Sequence, residues 1–278
     1  LIEWILMAER QTCRPAERET RVTEHDKDGT MIPPVVQPAK IALMLDFDGT
    51  LVPYASETRL VPEVDPRLPS LLDRLAKKTG GATAIVSGRG VGEFDRLLGP
   101  IQLAISGTHG FEFRATPDSP IEFGLAGKAL TRISEDLERL FVLSSAWADR
   151  HPGVYIERKS HTIVLQFHEV PEIADSAFEF AFDVCKGMPG FAIQAGRGVA
   201  EFKPAVADKA RGIDMLMARA PFAGRIPVFI GDDLADEAGF STVNALGGIS
   251  IHVGSGESQA AYCLRDTHAV MSFLESIS

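Results

Sequence analysis

A chain of 278 residues, 45% apolar and 24% charged, has the make-up of a globular protein, and its length suits one large or, as expected here, two modest domains. Its 38 acidic and 28 basic residues give a formal charge of −10, which argues against broad, salt-driven binding to nucleic acid and leaves a small anionic substrate in need of a local cationic pocket. No apolar run is long enough to span a membrane, and Cys13, Cys185 and Cys263, widely spaced and in no metal-ligand pattern, suit ordinary burial in a reducing cytoplasm.

Residues 1–39 carry charge without sustained period and end among Pro33, Pro34 and Pro38, so a mobile extension is expected there. The opening Leu1 to Met7 lacks the cationic start and long apolar core of a signal peptide, and Met7 or Met31 reads equally well as a start. Next comes Ile41-Ala42-Leu43-Met44-Leu45, an apolar run that ends abruptly in Asp46-Phe47-Asp48-Gly49-Thr50-Leu51. It predicts a strand buried on both faces with its two carboxylates at the carboxyl end, where open parallel sheets place their chemistry. Leu68, Leu71, Leu72 and Leu75 stripe a helix that stops at Gly80-Gly81, and Ala82 to Val86 form a second buried strand closed by Ser87-Gly88-Arg89-Gly90. A helix through Phe94, Leu97 and Leu98 leads to a third strand, Leu103 to Ile105, ending at Ser106-Gly107-Thr108-His109-Gly110. This alternation predicts an α/β fold with a doubly wound parallel sheet.

From about Phe113 the pattern changes. Short strands are expected at Ile121 to Phe123, Val154 to Ile156 and Thr162 to Phe167, with one amphipathic helix through Leu130, Ile133, Leu137, Leu140 and Phe141 and another through Ile173, Ala177, Phe180 and Val184. That order suggests a small α+β domain over 113–197, inserted into a core made of 40–112 and 198–278. Parallel alternation returns after Glu201 with a helix through Ile213 and Leu216, a strand Val228 to Ile230 running into Gly231-Asp232-Asp233-Leu234-Ala235-Asp236-Glu237, a strand Ile249 to Val253 and a terminal helix.

Asp46 and Asp48 at a strand tip suit either a hard divalent cation, which prefers oxygen ligands, or attack on phosphorus by one carboxylate while the other moves protons. A solvated Asp-x-Asp-Gly turn accounts for the same residues alone. Ser87 offers a hydroxyl and glycine-flanked amides suited to phosphate oxygens, with Arg89 two residues on. Asp232, Asp233 and Asp236 add oxygen ligands, or simply charge a helix N-terminus. Lys209, opening its helix, would neutralise phosphate and orient a nucleophile.

Taken together, Asp-x-Asp-Gly-Thr, Ser87, Lys209 and Gly-Asp-Asp-x-x-Asp, each at a strand tip or helix start, resemble the haloacid dehalogenase superfamily of phosphotransferases over residues 40–278. Leu45 to Leu51, Ser87-Gly88-Arg89, Gly107 to Gly110, Glu157-x-Lys159, Glu201-Phe202-Lys203-Pro204 and Gly231-Asp232-Asp233 with Asp236-Glu237 are similar to the trehalose-6-phosphate phosphatases, especially the bacterial ones. Such a resemblance implies a Mg2+-dependent phosphatase that forms an aspartyl-phosphate, with Asp46 as nucleophile and Asp48 as general acid and base. It implies metal held by Asp46, the Asp48 backbone carbonyl and Asp232, phosphate held by Ser87 and Lys209, and a pocket bordered by Arg89 and His109. The insert becomes a cap that recognises sugar through Glu157 and Lys159, with Glu201 at its edge. Gln166-Phe167-His168 departs from the His-Tyr-Arg that bacterial members often carry, and no role is carried to His168. The implied substrate is trehalose 6-phosphate, with coupling to a trehalose-6-phosphate synthase and a cytoplasmic setting. A phosphatase for sucrose phosphate or another hexose phosphate, or a catalytically silent sugar-phosphate sensor, remain the alternatives.

Overall fold

The computed structural model describes residues 33–54, 62–196 and 198–278, so the extension expected over 1–39 lies outside the described residues up to residue 32. Strands β1 (Ile41–Leu45), β2 (Thr83–Val86), β3 (Ala104–Gly107), β4 (Glu112–Arg114), β5 (Glu122–Phe123), β10 (Ile226–Gly231), β11 (Ile249–Val253) and β12 (Tyr262–Leu264) form one sheet. Its order is β12-β11-β10-β1-β2-β3-β4-β5, with β12 through β3 parallel and β4 and β5 added antiparallel at one edge. Helices α1 (Leu68–Lys78), α2 (Val91–Leu98), α5 (Lys209–Met217), α6 (Glu237–Ala245) and α7 (Thr267–Ile277) cover it.

β1 lies in the middle, and all five of its residues are buried because helices close both faces. Ile41, Leu43 and Leu45 pack into the cluster that contains Leu72 of α1, Phe94 of α2 and Leu274 of α7. Ala42 and Met44 join the opposite cluster with Ile213 and Leu216 of α5 and Phe240 of α6. Strand side chains alternate faces, so a doubly covered strand must read apolar throughout, and each large side chain buried there stabilises the fold by about 1.5–3 kcal/mol. The same parity carries Asp46 toward α5, the helix that Lys209 begins.

A second sheet, antiparallel and ordered β6-β7-β9-β8, is built from β6 (Tyr155–Arg158), β7 (Ile163–Gln166), β8 (Phe191–Gly196) and β9 (Val199–Pro204). Helices α3 (Lys128–Ala148) and α4 (Ala174–Lys186) bury Ile133, Leu137, Leu140, Ala177 and Ala181 with Leu165, Ala200 and Phe202 of this sheet. The strand expected near 121–123 does not join this small sheet. Glu112 and Phe113 of β4 pair with Phe123 and Glu122, so both short strands extend the edge of the large one. β9, whose residues fall on the far side of the expected boundary at 197, belongs to the small sheet.

Candidate active site

Parallel register brings the strand tips level. Leu45 pairs with Ile230 and with Ile85, and the Asp46 N–H donates to the Ile230 carbonyl at 2.9 Å. Beyond the tip the chain turns tightly, with the Leu51 and Val52 amides donating to the Phe47 carbonyl. Gly49 sits at φ +80° inside that turn, and a Cβ there would fall 2.0 Å from a carboxylate oxygen of Asp232. Only glycine allows both that conformation and that approach.

Asp46 is 4% exposed and its Oδ2 lies 3.0 Å from Nζ of Lys209. The same ammonium donates to Asp236 Oδ1 at 2.5 Å. Asp236 is wholly buried, and its second oxygen accepts the N–H groups of Asp232 and Asp233. Asp232 is oriented by Thr50 Oγ1 at 2.8 Å and the Tyr54 hydroxyl at 2.7 Å, both donating to its carboxylate. Burial pushes the Asp46 carboxyl well above its ordinary value, and the Asp236 and Asp232 charges add to that against the pull of Lys209. Burial likewise raises Asp232, to about 7, despite its two donors. Lys209 would lose its proton more readily on burial alone, but Asp236 and Asp46 outweigh this and hold it charged.

One ligand oxygen from each of Asp46, Asp232 and Asp236 lies within 4.8 Å of the other two. The set is all hard oxygen and carries more negative charge than one lysine balances, which is the chemistry of a divalent-cation site. Asp236 is already spent on Lys209 and two backbone amides, so Asp46 and Asp232 keep more lone pairs for a metal.

Asp48 is placed differently. Its side chain points to Arg89, whose Nε and Nη2 donate to the two carboxylate oxygens at 2.6 and 2.8 Å. Arg89 also reaches Glu93 at 3.1 Å and lies over the Phe47 ring at 5.9 Å, so its fork is fixed from three sides. The buried Ser87 Oγ accepts the Arg89 N–H at 3.2 Å.

His109 forms a third group with two residues of the small-sheet segment. Thr108 and His109 adopt left-handed φ of 48° and 53°, rare for residues with a Cβ. Two backbone bonds from the neighbouring loop hold them there, Thr108 N–H to the Arg89 carbonyl and His109 N–H to the Ser87 carbonyl, at 2.8 and 2.9 Å. His109 Nε2 then meets Glu201 Oε2 at 3.1 Å, and Lys159 Nζ approaches Glu201 Oε1 at 3.6 Å. Burial alone would raise the Glu201 carboxyl, yet the Lys159 charge and the hydrogen bond with His109 hold it well below the ordinary value, while burial pushes His109 itself toward its neutral form. Glu157 stands apart on β6, accepting a hydrogen bond from Gln166 Nε2 at 2.8 Å. The departure at 166–168 therefore supplies a partner to Glu157, and Phe167 packs edge-on against Phe178 at 5.8 Å.

Asp46, Lys209 and Asp232, then Asp48, Arg89 and Ser87, then His109, Lys159 and Glu201 lie together in these groups, whereas Glu157 does not join them, and the partners of several were not readable from sequence. Thr50 and Tyr54 on Asp232, Asp236 on Lys209, and Arg89 on Asp48 are contacts between distant segments. The acid-rich run 232–237 was the only local signal for any of them.

A family model described as trehalose-phosphatase matches residues 44–268. The chain is 35% identical over 240 residues to the trehalose-6-phosphate phosphatase of Escherichia coli (strain K12), which covers 86% of this chain and 87% of that protein. A Sinorhizobium fredii protein described as a probable trehalose-phosphate phosphatase is 39% identical over 216 residues, 77% of each chain. The solved C-terminal domain of the C. albicans trehalose-6-phosphate phosphatase has the same fold, with a TM-score of 0.72 at 18% identity over 86% of this chain and 92% of that one. By the reach of the family model and its likeness to these relatives, the chain belongs to the trehalose-phosphatase family.

Proposed function

We propose that this protein hydrolyses trehalose 6-phosphate to trehalose and phosphate through an aspartyl-phosphate on Asp46. The observation that carries this reading is the buried Asp46 carboxylate, fixed 3.0 Å from Lys209 beside two further carboxylates at the tips of a parallel sheet. Asp46 Oδ attacks phosphorus, the bond from phosphorus to the sugar oxygen breaks, and Asp48 delivers a proton to that oxygen. In the second half, Asp48 takes a proton from water, the water oxygen attacks phosphorus and the bond to Asp46 breaks. For Asp48 to act as the acid, the Arg89 fork must release at least one of its oxygens, and that oxygen must take up a proton from solvent. A phosphate dianion offers the guanidinium an equivalent bidentate partner, so substrate arrival itself can free the acid.

Mg2+ held by Asp46, Asp232 and the Asp48 backbone carbonyl would supply positive charge beside the transferring phosphoryl group. Lys209 offsets more of that charge and aims Asp46, while Ser87 Oγ and nearby amides hold phosphate oxygens. Residues 113–197 would act as the cap, with Glu157, Lys159 and Glu201 accepting from or donating to sugar hydroxyls, and closure would exclude bulk water. A synthase that makes trehalose 6-phosphate would supply the substrate, and the proposal places the pair in the cytoplasm.

Phosphate release measured over trehalose 6-phosphate, sucrose 6-phosphate and glucose 6-phosphate tests the substrate. Trehalose 6-phosphate should lead, and parity with glucose 6-phosphate would sink the choice. Asp46→Asn should keep the fold and abolish turnover; undiminished turnover in that variant would remove the mechanism.

A further inference from the structure

The turn that joins β6 to β7 is closed by the Lys159 N–H donating to the Thr162 carbonyl at 3.0 Å, and its tip rests on the edge of the large sheet. His161 sets its ring against Phe111 and Phe123, with centroids 5.1 and 5.2 Å away. Its Nδ1 lies 2.7 Å from Oε1 of Glu112, the first residue of β4. The other oxygen of Glu112 accepts the N–H of Val91, the first residue of α2, at 2.8 Å. This carboxylate is 2% exposed, so an unpartnered oxygen there would be costly; His161 and the Val91 amide meet its two oxygens from different segments, and the Thr108 side chain adds a further hydrogen bond. Burial alone would raise the carboxyl, but His161 and the Val91 amide hold it below the ordinary value.

The two partners lead to the two halves of the site. Val91 follows Arg89 and Gly90, and a Cβ on Gly90 would stand 2.6 Å from Ser160 Oγ, so the turn tip crosses directly over the loop that aims Arg89 at Asp48. His161 follows Lys159, the residue that reaches Glu201. Resting on the phosphatase reading above, we propose that Glu112 and His161 are positioning residues. One buried carboxylate clamps the Lys159 hairpin to the Ser87–Arg89 loop, so that the sugar-facing and phosphate-facing groups share one register. His161 then governs the hairpin alone, whereas Glu112 governs both sides.

The test uses the full-length protein, with trehalose 6-phosphate and with p-nitrophenyl phosphate, which carries the phosphate ester without the sugar. His161→Ala should lower kcat/KM for trehalose 6-phosphate by about 10- to 100-fold, the loss expected of one hydrogen bond to a charged group, and for p-nitrophenyl phosphate by at least tenfold less. His161→Asn, whose amide nitrogen replaces Nδ1 as donor, should recover most of the loss. Glu112→Gln should depress both substrates. Equal losses of both substrates in His161→Ala, or no loss at all, overturn the proposal. Hydrogen exchange read by mass spectrometry adds an arm that needs no turnover. Amides of 159–166 and of the first turn of α2 should exchange faster in His161→Ala, and unchanged exchange there overturns the clamp. A wild-type protein that released no phosphate would defeat the phosphatase reading, while the exchange arm would still decide the clamp.

Discussion

Lys209 is 3% exposed, and its ammonium lies between two buried carboxylates, Asp46 and Asp236. Replacing it with methionine leaves those charges facing each other in low dielectric. Lys209→Met is therefore expected to lose about 3–5 kcal/mol of stability along with all turnover, measured by urea unfolding and phosphate release. Glu201 is another buried ion held by neighbours, and its carboxyl is depressed by Lys159 and His109 against the effect of burial. A carboxyl depressed in the folded state contributes stability above its unfolded value, and that contribution fades as pH falls toward the folded one. Glu201→Gln should cost about 3 kcal/mol near pH 7, and the deficit against wild type should narrow as pH drops below the ordinary glutamate value of 4.5. A deficit that stayed constant from pH 7 to pH 3.5 would contradict that linkage.

Among the elements, the β1 strand and the turn after it do different work. Leu45 is fully buried in β1, and Leu45→Ala should cost about 2–5 kcal/mol through lost transfer energy and a residual cavity, with modest change in kcat once the protein is folded. Gly49→Ala acts on the turn instead. It strains a φ of +80° and drives a methyl into the Asp232 carboxylate, so activity and metal response should disappear together. The same contrast explains what was legible in the sequence. β1 announces itself because a strand covered on both faces reads as an unbroken apolar run, β2, β10 and β11 keep mostly apolar stretches, with Ser250 and His252 interrupting β11, and Asp46 and Asp232 follow from the acids just beyond strand ends. β12, three residues long, lacks a period to detect, and the edge placement of β4 and β5 depends on pairing rather than on composition. The side-chain partners were the least visible part. Arg89 meets Asp48 across 41 positions of sequence, His161 meets Glu112 across 49, and only the folded backbone brings them together.

At the scale of the whole molecule, the carboxylate cluster makes the folded state a ligand that the unfolded chain is not. A cation bound only by the native state stabilises it by mass action, about 2.7 kcal/mol at a hundred times its Kd. Mg2+ should accordingly raise Tm, chelator should reverse the gain and suppress phosphate release, and Asp232→Asn should blunt the thermal response. The family's fold also dictates when such a site can exist. β1 sits between β2, which follows it closely in the chain, and β10, whose pairing partner positions lie far downstream. Thr50 finds Asp232 across 182 positions. During synthesis the central strand must therefore wait, one apolar edge unpaired, until most of the chain has emerged. The Gly49 turn can form early, but Asp46 meets Asp232 only after β10 has been made, so on the proposed mechanism the site is assembled late in synthesis.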